Sequence, residues 1–382
     1  GRRRPRLHTC KADIVTEVDR FADIRPYRDE EVPAAIERLI QDDEFIGAIA
    51  KYRFGSLMSW LGWAIRPLIR QFLRHKWAKV STIHQVQMGV TRYMTRMIAT
   101  STQGVSFSGL EHLKKEQGYL FVSNHRDIAM DPAFVNWGLH THGFDTVRIA
   151  IGDNLLRKPC ATELMKLNKS FIVKRSAKGP REMMKALGEL SAYIGQSVHE
   201  GHSIWIAQKE GRAKDGDDKT DPAILKMFYV DGKKQKIEFV DYMRSLNIVP
   251  VSISYELDPT DKAKARELYE KSVNGSYEKG EFEDIESIVA GIVGQKGRVH
   301  VSFGAPITEG FSDPDELAAL IDKAIWSSYR LFPGNYLAAD VPGKASTIEQ
   351  SAFLTRQSEV PQEHKAIWRA MYAKPVENAG KV

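Results

Sequence analysis

The chain changes its hydrophobic period once. In EEVPAAIERLIQDDEFIGAIAKYRF the apolar positions Val32, Ile36, Leu39, Ile40, Phe45 and Ile49 recur at helical intervals, with acids early in the turns. Helical stretches over 57–79 and about 81–99 follow, so residues 29–103 are predicted to form a helical domain. At GVSFSGLEHL (104–113) the period drops to two. From there, strands near 119–123, 146–151, 170–174, 203–207, 248–254 and 298–303 alternate with helices near 131–140, 180–199, 222–229, 236–246, 261–272 and 314–331. That alternation predicts an α/β domain over 104–332, with a mostly parallel sheet covered by helices. Residues 1–28 read as a polar, basic, loosely ordered lead-in, and 333–382 as a tail with one helix near 361–373.

Composition narrows the class without choosing a function. With 382 residues, 42% of them hydrophobic, the chain is long enough for a large core and is not a disordered protein. Its 55 basic and 49 acidic residues give a formal charge of +6, which favours an anionic partner: nucleic acid, an anionic bilayer surface or a phosphorylated metabolite. Cys10 and Cys160 are too few for a disulfide framework or a thiolate metal site and point to a reducing, cytoplasmic setting. Every apolar run is interrupted by Arg, Lys or Pro, so no spanning helix is expected, and GRRRPR at the start is followed by no apolar signal segment.

The chemistry concentrates in four blocks. YLFVSNHRDIAMD (119–131) ends an apolar strand on Ser123, Asn124 and His125, at the sheet edge where open α/β folds bind ligands. A strand-end His followed by a carboxylate can form a relay in which the acid fixes the imidazole tautomer and the imidazole takes a hydroxyl proton. The plainer alternative is that Asp127 or Asp131 caps the following helix and His125 is merely exposed. NKSFIVKRS (168–176) brings Lys174 and Arg175 to another strand end, and GHSIWIAQKEGRAKDG (201–216) brings Glu210, Gly211, Arg212 and Lys214. NIVPVSISYELDP (247–259) is a β-rich run opening at Pro250. Each basic cluster alone is commonly a solvated face; together they describe an anion site beside a general base.

These four blocks, in this order, resemble the phospholipid/glycerol acyltransferase family, particularly its glycerol-3-phosphate acyltransferase branch. The resemblance covers roughly 104–260. It implies His125 as general base on the acceptor hydroxyl, with a nearby Asp as its partner, and Arg175, Glu210, Gly211 and Arg212 around the acceptor phosphate. It places Pro250 on the acyl-donor side; Lys174 and Lys214 are added from charge and position. Two departures stand out. The family's acid lies five residues after the His, where this chain has Met130, leaving Asp131 as the favoured partner with Asp127 close behind; and Gly211 and Arg212 are adjacent where the family has a residue between them. The implied reaction moves a fatty acyl group from an acyl thioester, acyl-CoA or acyl carrier protein, to glycerol 3-phosphate, with 1-acylglycerol 3-phosphate or another lipid hydroxyl as alternative acceptor and no bound cofactor or metal.

LMSWLGWAIRPLIRQFLRHKWAKV (57–80) carries Trp60, Leu61, Trp63, Ile65, Leu68 and Phe72, with Arg66, Arg70 and Arg74 on one stripe and Pro67 expected to start or kink the helix. Either it lies on an anionic membrane surface, with the tryptophans and arginines in contact, or its apolar face packs among the other amino-terminal helices. The first reading makes the protein peripheral on the inner face of the cell membrane; with a decayed site it would be a membrane-binding module rather than an enzyme. Other motifs fail. The kinase loop H-R-D-x-x-x-x-N requires Asn where Pro132 stands, HEGH (199–202) is short of a zinc motif, DGDDKTD (215–221) lacks the calcium-loop Gly and Glu, G-x-S-x-G is absent, and no nucleic-acid motif accompanies the basic residues.

Overall fold

The computed structural model describes residues 19–382. Four helices come first: α1 (Val32–Gln41), α2 (Asp43–Phe54), α3 (Met58–Trp77) and α4 (Ile83–Ser101). There follow β1 (Val105–Ser108), β2 (Leu120–Ser123), α5 (Met130–Thr141), β3 (Arg148–Gly152), α6 (Pro159–Leu167), β4 (Ser170–Val173), α7 (Pro180–His199), β5 (Ile204–Ala207), α8 (Pro222–Lys234), α9 (Phe239–Ser245), β6 (Ile248–Tyr255), α10 (Asp261–Asn274), α11 (Glu283–Val293), β7 (Val299–Phe303) and α12 (Pro314–Ser328). The chain closes with α13 (Pro333–Ala338), α14 (Thr347–Ser358) and α15 (Lys365–Ala379).

The strands form one seven-stranded sheet in the order β1-β7-β6-β2-β5-β3-β4, parallel at every pairing except β6 with β7. β2 is central and buried throughout, because β5 and β6 flank it and helices cover both faces. Alternation along it divides the core: Leu120 and Val122 join α7, α8, α9 and α12 on one face, and Phe121 joins α4 and α5 on the other. Pro250 sits within β6, where a missing N–H would ordinarily break a ladder. The antiparallel pairing with β7 begins at Val251, one residue later, so the gap falls where β6 has no β7 partner.

The α/β class with an amino-terminal helical region is what the periodicity predicted, but three details differ. Residues 19–28 are not a loose lead-in: Phe21 and Ile24 are buried, and the Ile24 carbonyl accepts a hydrogen bond from Ile172 N, covering the exposed edge of β4. Residues 1–18, with Cys10, lie outside the described residues. The tail has three helices rather than one, and a legible signal was passed over, since Ser346 and Glu349 form a capping box at the start of α14. α6 is short, and α11 is rich in β-branched residues, so neither stood out from the helical period.

The tail is part of the core. Trp368 is fully buried between Phe353 and Tyr372, and α15 packs on α10. Trp368→Ala should therefore lower global stability by about 3 to 5 kcal/mol in guanidinium unfolding; a loss below about 1 kcal/mol would mean that the tail is an appendage.

Candidate active site

β2 ends at Ser123, and the next residue locks it to its neighbour. Asn124 is buried; its Oδ1 accepts from Ile253 N at 2.7 Å and its Nδ2 donates to the Ile253 carbonyl at 3.0 Å and to Asp218 Oδ2 at 3.2 Å. This two-way bond to the β6 backbone fixes the direction in which the chain leaves the sheet. His125 follows. Its carbonyl accepts from Ala213 N, and its ring meets Trp205 of β5 edge-on with centroids 5.4 Å apart.

Of the two candidate acids, the structure brings Asp131 to His125. Asp131 sits in the first turn of α5, wholly buried, and its Oδ2 lies 2.7 Å from His125 Nδ1. The same oxygen accepts from Arg126 N at 2.6 Å and Asp127 N at 3.1 Å, while Oδ1 accepts from the Tyr255 hydroxyl at 2.6 Å. A carboxylate only accepts, so Nδ1 carries the proton and Nε2 is left with its lone pair. Asp127 does something else. Its Oδ1 accepts from Ala129 N and Met130 N, capping the start of α5. Gly291 lets α11 close over it, since a Cβ there would collide with Asp127 Oδ2. That burial, with the charge of Asp131 close by, pushes the Asp127 carboxyl up to about 6.

Beneath the pair, buried charges are matched. Arg126 donates to Asp218 Oδ2 at 2.7 Å and to the Gly216 carbonyl, with its guanidinium against the Tyr329 ring. Lys264 of α10 bonds both Asp258 and the Arg126 carbonyl, so the His125 loop is tied to β6, α10 and the 208–221 segment at once.

His125 opens on a cavity of about 600 Å³ at the carboxyl edge of β2, β3, β4 and β5. Its lining combines apolar side chains, among them Met94, Trp137, Ile151, Met183, Leu187 and Met227, with the cations Lys174, Arg175, Lys209, Arg212 and Lys214. Glu210 and Gly211 also line it, and Gly211 has a φ of +79°, a left-handed turn that favours glycine. The cations are not equivalent. The Lys214 ammonium is held by Glu267 of α10 at 2.7 Å, Arg175 faces Glu210 at 3.6 Å, and Lys174 lies 3.7 Å from Asp23. Among the described residues no carboxylate stands within ion-pair distance of Lys209 or Arg212, which leaves them the most available for an anion. Lys209 was missed in the sequence, although it stands beside Glu210 at the end of β5; Tyr255 was missed because its partner lies 124 residues away. Pro250 does not reach this cavity: it is buried within β6 against Gly304.

The helix read as a membrane contact is two-sided. Ile69 and Leu73 pack inward, whereas Trp60 and Trp63 are 84% and 79% exposed, with Leu57, Leu61, Leu68 and Phe72 also exposed. The arginines do not join that outer surface. Arg70 pairs with Asp43 at 2.5 Å and donates to the Ile40 carbonyl, Arg74 pairs with Glu37 at 2.9 Å, and Arg66 donates to the Asp43 carbonyl. The reason is acid placement: α1 and α2 present Glu37 and Asp43 to the arginine stripe, so these cations clamp α3 to its neighbours. The helix runs on through Pro67.

A strand-end His–Asp pair beside a cavity lined by apolar and cationic side chains can take a proton from a hydroxyl while cations hold an anion nearby. Residues 104–254 match the model of the family described as Acyltransferase. The matched segment contains His125, Asp131 and the cationic residues of the cavity, so this part of the chain is similar to acyltransferases. No curated protein matches the sequence. Among solved structures it is similar to the 1-acyl-sn-glycerophosphate (LPA) acyltransferase PlsC of Thermotoga maritima, at 17% identity and a TM-score of 0.38, over 77% of this chain and 94% of that one.

The raised Asp127 carboxyl has a stability consequence. Its folded pKa, about 6, lies above the ordinary value of 3.8, so the folded state holds this proton more tightly than the unfolded chain. The contribution is present below pH 3.8 and is lost as pH rises to about 6. Asp127→Asn keeps the capping oxygen and removes the charge. Above pH 7 it should be more stable than wild type by up to about 3 kcal/mol, with the difference vanishing towards pH 4; thermal unfolding of both proteins across that range measures it, and a pH-independent difference would contradict the assignment.

Proposed function

We propose that the protein transfers a fatty acyl group from an acyl thioester, acyl-CoA or acyl carrier protein, to a hydroxyl of glycerol 3-phosphate. The observation that carries this reading is the Nε2 of a His–Asp pair, left with its lone pair, on a cavity lined by both apolar and cationic side chains. His125 takes the proton of the acceptor hydroxyl as its oxygen attacks the thioester carbonyl. Asp131 holds the imidazolium that results. The tetrahedral intermediate then collapses, the C–S bond breaks, and the departing sulfur takes the proton from His125, leaving an ester, a free thiol and a neutral imidazole. Arg212 and Lys209 bind the acceptor phosphate, with Lys174 and Arg175 beside them, and the methionine-rich wall takes the acyl chain. A second reading, 1-acylglycerol 3-phosphate as acceptor, is favoured by the reach of the cavity to Met88, Val90 and Tyr93 of α4, which are themselves exposed and give room for a second chain.

The ester product of such a reaction is a lipid that leaves into a membrane. No helix among the described residues is long and apolar enough to cross a membrane. The exposed stripe of α3, Trp60, Leu61, Leu68 and Phe72, with Leu57 just before it, serves as the contact with a membrane surface in this reading, and Arg66, Arg70 and Arg74 hold the helix in place.

Thiol release from a long-chain acyl-CoA or acylated carrier protein, with either acceptor or none, tests the reaction. It should depend on acceptor and fall by about 1,000-fold or more in His125→Ala. Arg212→Ala and Lys209→Ala should raise the acceptor KM by about tenfold with little change in kcat. Near-normal turnover in His125→Ala would sink the reading. For the membrane contact, Trp60→Ala with Phe72→Ala should reduce sedimentation with anionic vesicles, whereas Arg70→Ala should lower the unfolding temperature and leave sedimentation alone; the reverse pattern would restore the arginines to the lipid surface.

A further inference from the structure

We infer that Tyr255 is a positioning residue for the His125–Asp131 pair, its phenol holding the Asp131 carboxylate in the plane and at the basicity that the imidazole requires. This rests on the reading of His125 as the base, and it extends that reading to a residue none of the four motif blocks assigns.

The two oxygens of Asp131 do different work. Oδ2 is shared by His125 Nδ1, Arg126 N and Asp127 N, all within one short loop. Oδ1 has the Tyr255 hydroxyl, at 2.6 Å, as its one partner among the described residues. Without that hydroxyl a wholly buried carboxylate would keep one oxygen bare, and its charge, no longer shared with the phenol, would bear more strongly on the imidazole that Oδ2 faces. Tyr255 is well placed to prevent this. It is the last residue of β6, paired with Val299 of β7, with its ring against Phe134 of α5. Two residues earlier, Ile253 is the residue that Asn124 grips from both sides. One strand therefore fixes both the backbone that presents His125 and the acid that orients its ring. Burial and the adjacent carboxylates hold the phenol proton well above its ordinary range, so Tyr255 remains a donor wherever the enzyme works.

Other charges face this group and must be separated from it. Asp127 lies on the same loop, with Lys296 near it, and Arg126 and Asp258 lie beneath; Lys264 comes from α10, and Tyr329 follows α12. Asp127 titrates in the same range as an imidazole, so the comparison is made in the Asp127→Asn background.

The test is Tyr255→Phe, which removes one oxygen. Losing the donor concentrates charge on Asp131 and stabilises the imidazolium. The midpoint of the His125 ring titration, followed by NMR in the free protein, should move up by about one pH unit, and the acidic limb of kcat/KM should move with it, a loss of about tenfold on that limb. Site-specific 3-fluorotyrosine at 255, a stronger donor of nearly the same shape, should move both in the opposite direction, and it answers the question if Tyr255→Phe does not fold. A midpoint unmoved in a folded variant overturns the inference, since a residue that only filled space would lower stability without changing the titration. Because the NMR titration needs no turnover, it stands even if His125→Ala remains active and the catalytic reading fails.

Discussion

The candidate site depends on one buried carboxylate. Asp131 is removed from water at a cost of several kcal/mol, and the structure offsets that cost with donors from the imidazole, two backbone N–H groups and a phenol. Each hydrogen bond to a charged group contributes about 1.5 to 3 kcal/mol, so four suffice where two would leave the acid short. The donors come from the strand end, the loop and the neighbouring strand β6, so the carboxylate forms only when β2, β6 and α5 are assembled. Folding and the orientation of the His125 ring are in this sense the same event.

A second constraint is the sorting of cations. Lys214, Lys264 and Arg126 hold acids within the protein, at Glu267, Asp258 and Asp218, and so shape the walls. Among the described residues, Arg212 and Lys209 have no such acid partner and line the cavity. The same sorting governs α3, whose arginines are consumed by Glu37 and Asp43 while its tryptophans face outward. A basic stripe in a sequence therefore says little about a surface until the acids of the neighbouring elements are placed.

Much of this was legible in the sequence, for identifiable reasons. The switch of period at 104 marks where helices give way to the sheet, and strands flanked on both sides, such as β2 and β6, read as near-continuous apolar runs. His125 was legible because strand ends in open sheets carry ligands. The contacts that decide its chemistry were not. Tyr255 and Asp131 are far apart in the chain, and Lys214 looks as free as Arg212 until α10 brings Glu267 to it. Pro250 marked a strand correctly yet is buried against Gly304 and does not line the cavity, because where a side chain falls depends on register and not on motif order.

The spacing of the first motif illustrates how local departures are absorbed. An acid six residues after the His, instead of five, might be expected to swing away from the ring, since one residue turns a helix by about 100°. Here the loop from Arg126 to Ala129 takes up the difference, stitched by the Asp131 bonds to its own amides and by Asp127 capping α5. The register of α5 against β6 is then set by Tyr255 from outside the motif. The geometry that matters is the distance from carboxylate to imidazole, and a fold can keep that distance with a different count of residues provided another element supplies the missing constraint.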